Sequence, residues 1–245
     1  MLDDIKECVY DPSMALIRQL VTEYIIFPLG SELVRFRILE NIRSFLFYGP
    51  AGTGKTLIVR ACATETNSLV YDMSPANIEG KYASAKKEEE KLVASVMVTA
   101  KEYQPSIIYI DECEKVWPAK KKGKKKGKKK KASDPANPAR IKKAMKKWKA
   151  KFITSETRIT IIGCTSEPLE GSKKEFKKFF DKTIYFPFPD YTTRRLMWKN
   201  FIEANNGLLK SDFPLSTLAH ISVGYSAGSI LRTVQKVLTE YRIKH

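Results

Sequence analysis

A chain of 245 residues, 43% of them hydrophobic, is long enough for one sizeable core, or one core with a small satellite. No run of about 18 apolar residues occurs, and Asp3, Asp4 and Glu7 stand where a secretory signal needs apolar residues, so neither a membrane span nor a signal peptide is expected. The net charge of +17 is local: residues 119–151 hold 17 of the 44 lysines and arginines and one acid, Asp134, and the rest of the chain is close to neutral.

In chain order, residues 13–27 place apolar side chains at helical spacing and are expected to stop at Pro28, with a second short helix over 31–39. Ser44–Tyr48 is a short aromatic and aliphatic run ending at Gly49-Pro50, the pattern of a buried strand. A helix is predicted over 55–66, a strand over 69–73 and a charged helix over 84–103 with Leu92, Val93, Val96 and Ala100 as its apolar stripe. Ser106–Ile110, Ile159–Gly163 and Thr183–Phe186 read as three further strands. Strands alternating with helices imply a parallel α/β sheet covered on both faces. Residues 119–138, with their lysine-glycine repeat, cannot bury a core and are expected to be disordered. Residues 139–153 regain helical spacing, with Ile141, Met145, Trp148 and Phe152 on one face. Beyond Asp190 only helical patterns remain, at 191–204, 214–222 and 227–242. The expected domains are therefore an α/β domain over 1–189 and a small helical unit over 190–245.

The four cysteines, Cys8, Cys62, Cys113 and Cys164, are scattered, and only His220 and His245 could join them. That argues against a zinc site or disulfide framework and fits a reducing intracellular compartment.

Two motifs carry chemistry. Gly49-Pro50-Ala51-Gly52-Thr53-Gly54-Lys55-Thr56 is a P-loop between a predicted strand and a predicted helix. Its glycines let backbone N–H groups curl around phosphates, and the following helix, entered through Leu57, adds its positive end. Lys55 is expected on the β/γ phosphates and the Thr56 hydroxyl on magnesium. The second motif, Ile107–Ile110 followed by Asp111-Glu112, brings two carboxylates to the C-terminal edge of a strand, where ligands of open α/β sheets sit. Asp111 is expected to hold the magnesium through its water shell, and Glu112 to take a proton from the attacking water. The implied cofactors are a nucleoside triphosphate, ATP once the resemblance below supplies the base, and Mg²⁺.

These two motifs, the Phe180-Asp181 to Pro189-Asp190 exit and the Gly224-Tyr225-Ser226 helical segment, in that order, resemble an AAA ATPase from about Asp4 to Ile243. Within that family, the run from Asp111 to Pro118, the lysine-glycine insert and the run from Ile161 to Pro168 resemble the IQ-motif and AAA-domain-containing proteins of motile cilia, which belong to the dynein regulatory (nexin) complex. The resemblance implies a P-loop NTPase with a five-stranded sheet and a small helical lid, acting in a cilium or flagellum axoneme, as the ATPase portion of a longer protein. The base, adenine, also comes from the resemblance.

Carried over residue by residue, the resemblance places the sensor that orients the attacking water on Ser166, in place of the usual asparagine. It places the two arginine fingers on Lys178 and Phe179, neither of which offers a planar fork. The pore-loop aromatic falls on Tyr82, with core packing as its other reading, and the lid shows three helices instead of four, Ser226 capping the last. Two functions stay open: a slow ATP hydrolase with degenerate finger and sensor positions, or a non-hydrolysing nucleotide-binding structural subunit. The partners expected are ATP or ADP, a second copy or axonemal subunits, and no membrane. For Lys120–Lys131 the readings are a solvated loop, a tether for an acidic partner such as tubulin tails, or nucleic acid. The last is disfavoured because no aromatic interrupts the run.

Overall fold

The structure, a computed structural model, describes residues 11–37, 42–80, 88–119, 137–154 and 156–239. The expectations for Tyr82 and Lys120–Lys131 lie outside those residues. The first helical stretch runs through α1 (Met14–Val21), a π-helical turn (Thr22–Ile26) and α2 (Phe27–Gly30), followed by α3 (Glu32–Arg37). Pro28 does not end it. The Phe27 N–H reaches back to the Thr22 carbonyl, a five-residue step. This wider turn shifts the hydrogen-bond register just before the proline, whose ring and missing N–H an unbroken α-helical ladder tolerates poorly.

The strands are β1 (Ser44–Tyr48), β2 (Leu69–Asp72), β3 (Ser106–Ile110), β4 (Ile159–Thr165) and β5 (Lys182–Tyr185). They form one parallel sheet of order β2-β3-β4-β1-β5. The register is set by pairs such as Ser44 with Ile161 and Ile108 with Ile161. The central strands β3 and β4 are buried along their whole length, whereas β2, at the edge, leaves Leu69 and Val70 exposed. Between the strands run α4 (Lys55–Thr66), α5 (Pro75–Ile78), α6 (Glu88–Glu102), α7 (Cys113–Val116), a 3₁₀ turn (Pro138–Ile141), α8 (Lys142–Phe152) and α9 (Lys173–Phe179).

Two compact units result. One holds Gln19–Gly49 and Lys55–Ile184; the other takes in the chain up to Arg18, Pro50–Gly54 and the chain from Tyr185 onward. In the first, Val93 and Met97 of α6, Met145 of α8 and Phe176 of α9 join one core with Ile108 and Ile161 of the sheet. Each such side chain stabilises the fold by about 1.5–3 kcal/mol. In the second, α10 (Tyr191–Ala204), α11 (Leu215–Ile221) and α12 (Ala227–Val237) share a core of Trp198, Ile202, Ile230 and Val234. Asp190 caps α10 by accepting from the Thr193 N–H at 2.8 Å, and the Trp198 indole donates to Ser222 Oγ at 3.0 Å. Cys62, Cys113 and Cys164 are buried free thiols. Among the described residues no helix is long and apolar enough to cross a membrane.

Candidate nucleotide site

β1 is apolar because both faces of the sheet are covered there, and its ladder to β4 continues one residue further, with Gly49 N–H donating to the Thr165 carbonyl at 3.3 Å. The chain then leaves the sheet through three glycines at positive φ: Gly49 at 150°, Gly52 at 78° and Gly54 at 98°. Side chains rarely adopt such angles, so the loop's shape is specified by residue type. Thr53 Oγ1 closes the turn by donating to the Pro50 carbonyl at 2.9 Å. α4 begins immediately, so its first-turn N–H groups, which have no partner within the helix, face the ligand position of the motif.

Lys55 is only 6% exposed, with its Nζ donating to the Gly49 carbonyl at 2.8 Å. Burial lowers its pKa, while Cys164, Asp111 and Glu114 act in the opposite direction. A buried ammonium held at a carbonyl is a cation in place for an anion of greater charge. Leu57 is exposed, so any part it has in binding is through its backbone.

Opposite, β3 ends in Asp111-Glu112. The Asp111 N–H donates to Ser74 Oγ at 2.9 Å, and the Glu112 N–H to Asp111 Oδ1 at 2.9 Å. Glu112 adopts a left-handed conformation, φ 46° and ψ 49°, uncommon for a non-glycine residue and a mark of a constrained corner. Its carboxylate pairs with Lys115 Nζ at 2.7 Å, with both side chains about half exposed. Two residues before Asp111, the Tyr109 hydroxyl lies 3.1 Å from Thr56 Oγ1. Burial drives the Tyr109 pKa far above that of an ordinary phenol, the Thr56 bond opposing and the adjacent Asp111 carboxylate adding to it. Tyr109 therefore stays neutral, with its hydroxyl on Thr56.

Ser166 lies one residue beyond β4 with its side chain exposed. The side chain that ties the end of β4 to α7 is its neighbour: Thr165 Oγ1 donates to the buried Glu114 carboxylate. Burial raises the Glu114 pKa, the Thr165 bond partly offsetting it. Phe179 is 4% exposed and packs on Trp117 with ring centroids 4.7 Å apart, while Lys178 is exposed. Tyr109, Glu114 and Thr165 were not among the residues singled out from sequence. The one available signal was a hydroxyl within the otherwise aliphatic run Ile107–Ile110.

In the other unit, the Gly228 N–H donates to the Gly52 carbonyl at 3.0 Å, and a Cβ on Gly52 would stand 2.7 Å from Ser226 Oγ. Ser226 caps α12 by accepting from the Ser229 N–H at 3.2 Å.

The donor set suits a magnesium triphosphate. A buried ammonium sits at the Gly49 carbonyl, the Thr56 hydroxyl is bonded to a neutral phenol, and the strand that carries that phenol ends at the Asp111 carboxylate.

Residues 45–188 match the model of the ATPase family associated with various cellular activities (AAA). The chain is 33% identical over 238 residues to dynein regulatory complex protein 11 of Mus musculus, covering 95% of this chain and 26% of that protein. It is 28% identical over 229 residues to spastin of Homo sapiens, covering 90% of this chain and 33% of that protein. The chain thus spans about a quarter to a third of the curated relatives it matches. Among solved structures, the FIGL-1 AAA domain in complex with ADP superposes with a TM-score of 0.72 at 19% identity, over 97% of this chain and 78% of that one.

Proposed function

The chain belongs to the AAA family of ATPases, and from that premise we propose that it binds ATP with magnesium and hydrolyses it slowly as part of a ciliary dynein regulatory assembly. The observation that carries the nucleotide reading is the cluster at the start of α4: Lys55 buried at the Gly49 carbonyl, and Thr56 hydrogen-bonded to Tyr109 of the strand that ends at Asp111. ATP supplies the scissile phosphoanhydride bond, and magnesium neutralises charge on it. The backbone of Gly49–Thr56 and the Leu57 N–H hold phosphate oxygens, and Lys55 neutralises the β/γ end. Thr56 and Asp111 position the metal. Glu112 accepts the proton of the attacking water, and breaking its pair with Lys115 precedes that step. Ser166, exposed at the end of β4, orients the water over a shorter reach than an asparagine has. The ADP held by the FIGL-1 domain and the regulatory complex named for the mouse relative support the nucleotide and the setting.

A second reading, a non-hydrolysing structural subunit, is favoured by one observation. Phe179 is committed to the core against Trp117, so the finger position presents only the exposed Lys178 to a neighbouring copy. Single-turnover hydrolysis by the wild type and Glu112→Gln decides between them. The expected result is a rate at least about a hundredfold lower in the variant; equal rates would remove the enzyme reading. Sizing the same samples with and without ATP tests for a homo-oligomer. Lys120–Lys131 is proposed as a tether for acidic partners such as tubulin tails. Deleting it should weaken microtubule binding and flatten its salt dependence.

A further inference from the structure

A second groove lies in the sheet-bearing unit, and of the residues named for nucleotide chemistry its lining shares only the two finger positions, Lys178 and Phe179. Between α8 and α9 is a groove of about 580 Å³. Its floor is two chain segments tied to each other: Ala119 N–H donates to the Glu170 carbonyl at 2.7 Å, and Ser172 N–H to the Trp117 carbonyl at 2.8 Å. Gly171 sits on that floor because a Cβ there would stand 2.2 Å from the Phe176 ring. The floor is therefore a built surface, backed by the Trp117, Phe176, Phe179 and Phe180 ring cluster.

The walls are basic. Lys142, Lys143 and Lys146 line one side, and Lys173, Lys174 and Lys178 the other. Glu175 is the one acid in the lining, and it is paired with Lys142. The remaining five lysines have no carboxylate partner among the described residues. Elsewhere on α8 lysines do find acids: Lys147 pairs with Glu90 and Lys149 with Asp181. Lys151, at the end of α8, instead lies over the Trp148 and Phe152 rings, so Lys143 and Lys146, both in the groove, are the α8 lysines with neither an acid nor a ring partner among the described residues. Lys142 and Lys146, and likewise Lys174 and Lys178, are four residues apart on their helices, a spacing at which like charges repel and disfavour the helix. An anionic ligand would relieve that repulsion.

We propose that this groove binds a glutamate- or aspartate-rich peptide segment, independently of nucleotide and of Lys120–Lys131. Its chemistry favours carboxylates over nucleic acid. The lining has no arginine fork for phosphate, and its aromatic residues are closed to stacking, Trp117 being 1% and Phe179 4% exposed. Two rows of flexible ammonium groups across an open groove suit a chain of carboxylates spaced along an extended peptide.

The test uses the full chain without nucleotide and a fluorescein-labelled decaglutamate peptide, read by anisotropy at low ionic strength. A triple variant, Lys143→Gln with Lys146→Gln and Lys174→Gln, is compared with a control triple of equal charge change, Lys199→Gln with Lys210→Gln and Lys236→Gln. Loss of about tenfold in affinity in the groove triple alone is expected, and the same loss in a background with Lys120–Lys131 changed to glutamine. Equal losses in both triples would reduce the binding to net charge and overturn the site, as would no loss in the groove triple. Tighter binding of labelled decauridylate, lost in the groove triple, would overturn the peptide in favour of RNA. Circular dichroism of both triples checks that the fold is retained.

Discussion

At the start of α4 the chain buries polar groups and satisfies them; in α9 it buries rings and leaves its charges outside. Lys55 is enclosed with its Nζ at a carbonyl, and Thr56 shares a hydrogen bond with a buried phenol. In α9, Phe176 and Phe179 enter the core while Lys173, Lys174, Lys177 and Lys178 face solvent. The first arrangement is costly unless a ligand uses it, because a buried cation loses hydration. The second is a packing helix with a basic outer face. The difference separates holding a nucleotide, for which the residues are in place, from assisting a neighbour's hydrolysis, for which one of two positions has gone to packing.

The strongest way to break this contrast is to force an arginine into the second region. Phe179→Arg would place a guanidinium among Trp117, Phe176 and Phe180 without a carboxylate, and should cost at least about 3–5 kcal/mol in urea unfolding. Lys178→Arg, on the exposed face, should stay within about 0.5 kcal/mol of wild type. A Phe179→Arg protein as stable as Lys178→Arg would show that the ring is not committed to the core. The first region is tested by Lys55→Met, which keeps the apolar stem and removes the ammonium. The affinity for a fluorescent ATP analogue should fall about thirtyfold, the loss of roughly 2 kcal/mol of charge-assisted bonding. An unchanged affinity would mean that the buried cation does not meet the triphosphate.

What could be read in advance followed from how local each signal is. Ser44–Tyr48 and Ser106–Ile110 were legible as strands because each is a five-residue run, mostly aliphatic or aromatic, cut off by Gly-Pro or Asp-Glu. The P-loop was legible because its shape depends on three glycines within six residues. The path through Pro28 was not, since the π-helical turn that accommodates it leaves no distinct residue pattern. α9 was missed as a helix because its two inward phenylalanines stand among lysines over only two turns. Tyr109 and Glu114 were missed for another reason: their partners, Thr56 and Thr165, come from other elements, 53 and 51 residues away.

A smaller effect sharpens the contrast on the α9 side. Asp181, two residues after Phe179, accepts from the Ser44 N–H at 3.0 Å, the Arg43 N–H at 3.1 Å, Ser44 Oγ at 2.8 Å and Lys149 Nζ at 2.9 Å. Burial alone would raise its pKa, but the bonds from Lys149, Ser44 and Arg43 outweigh it and the net shift is downward. A depressed carboxylate contributes stability that is present above the unfolded pKa of about 3.9 and is lost as pH falls through the lower folded value. Asp181→Asn should therefore be about 1–2 kcal/mol less stable than wild type at pH 7, with the gap closing below about pH 4. A gap that stayed constant down to pH 2 would show that the ionised form is not the one being held.

The smallest effect returns to the α4 side. Tyr109→Phe removes the hydroxyl 3.1 Å from Thr56 Oγ1 and leaves the ring, and so the packing of β3, in place. A neutral hydrogen bond is worth about 0.5–1.5 kcal/mol, so the magnesium concentration for half-maximal ATP binding should rise about threefold. Binding of ATP without magnesium should be unchanged, because Lys55 and the loop backbone do not depend on that hydroxyl. Equal losses with and without magnesium would make Tyr109 a packing residue of β3; a loss confined to magnesium would mark it as the residue that positions Thr56, extending the polar side of the contrast by one side chain.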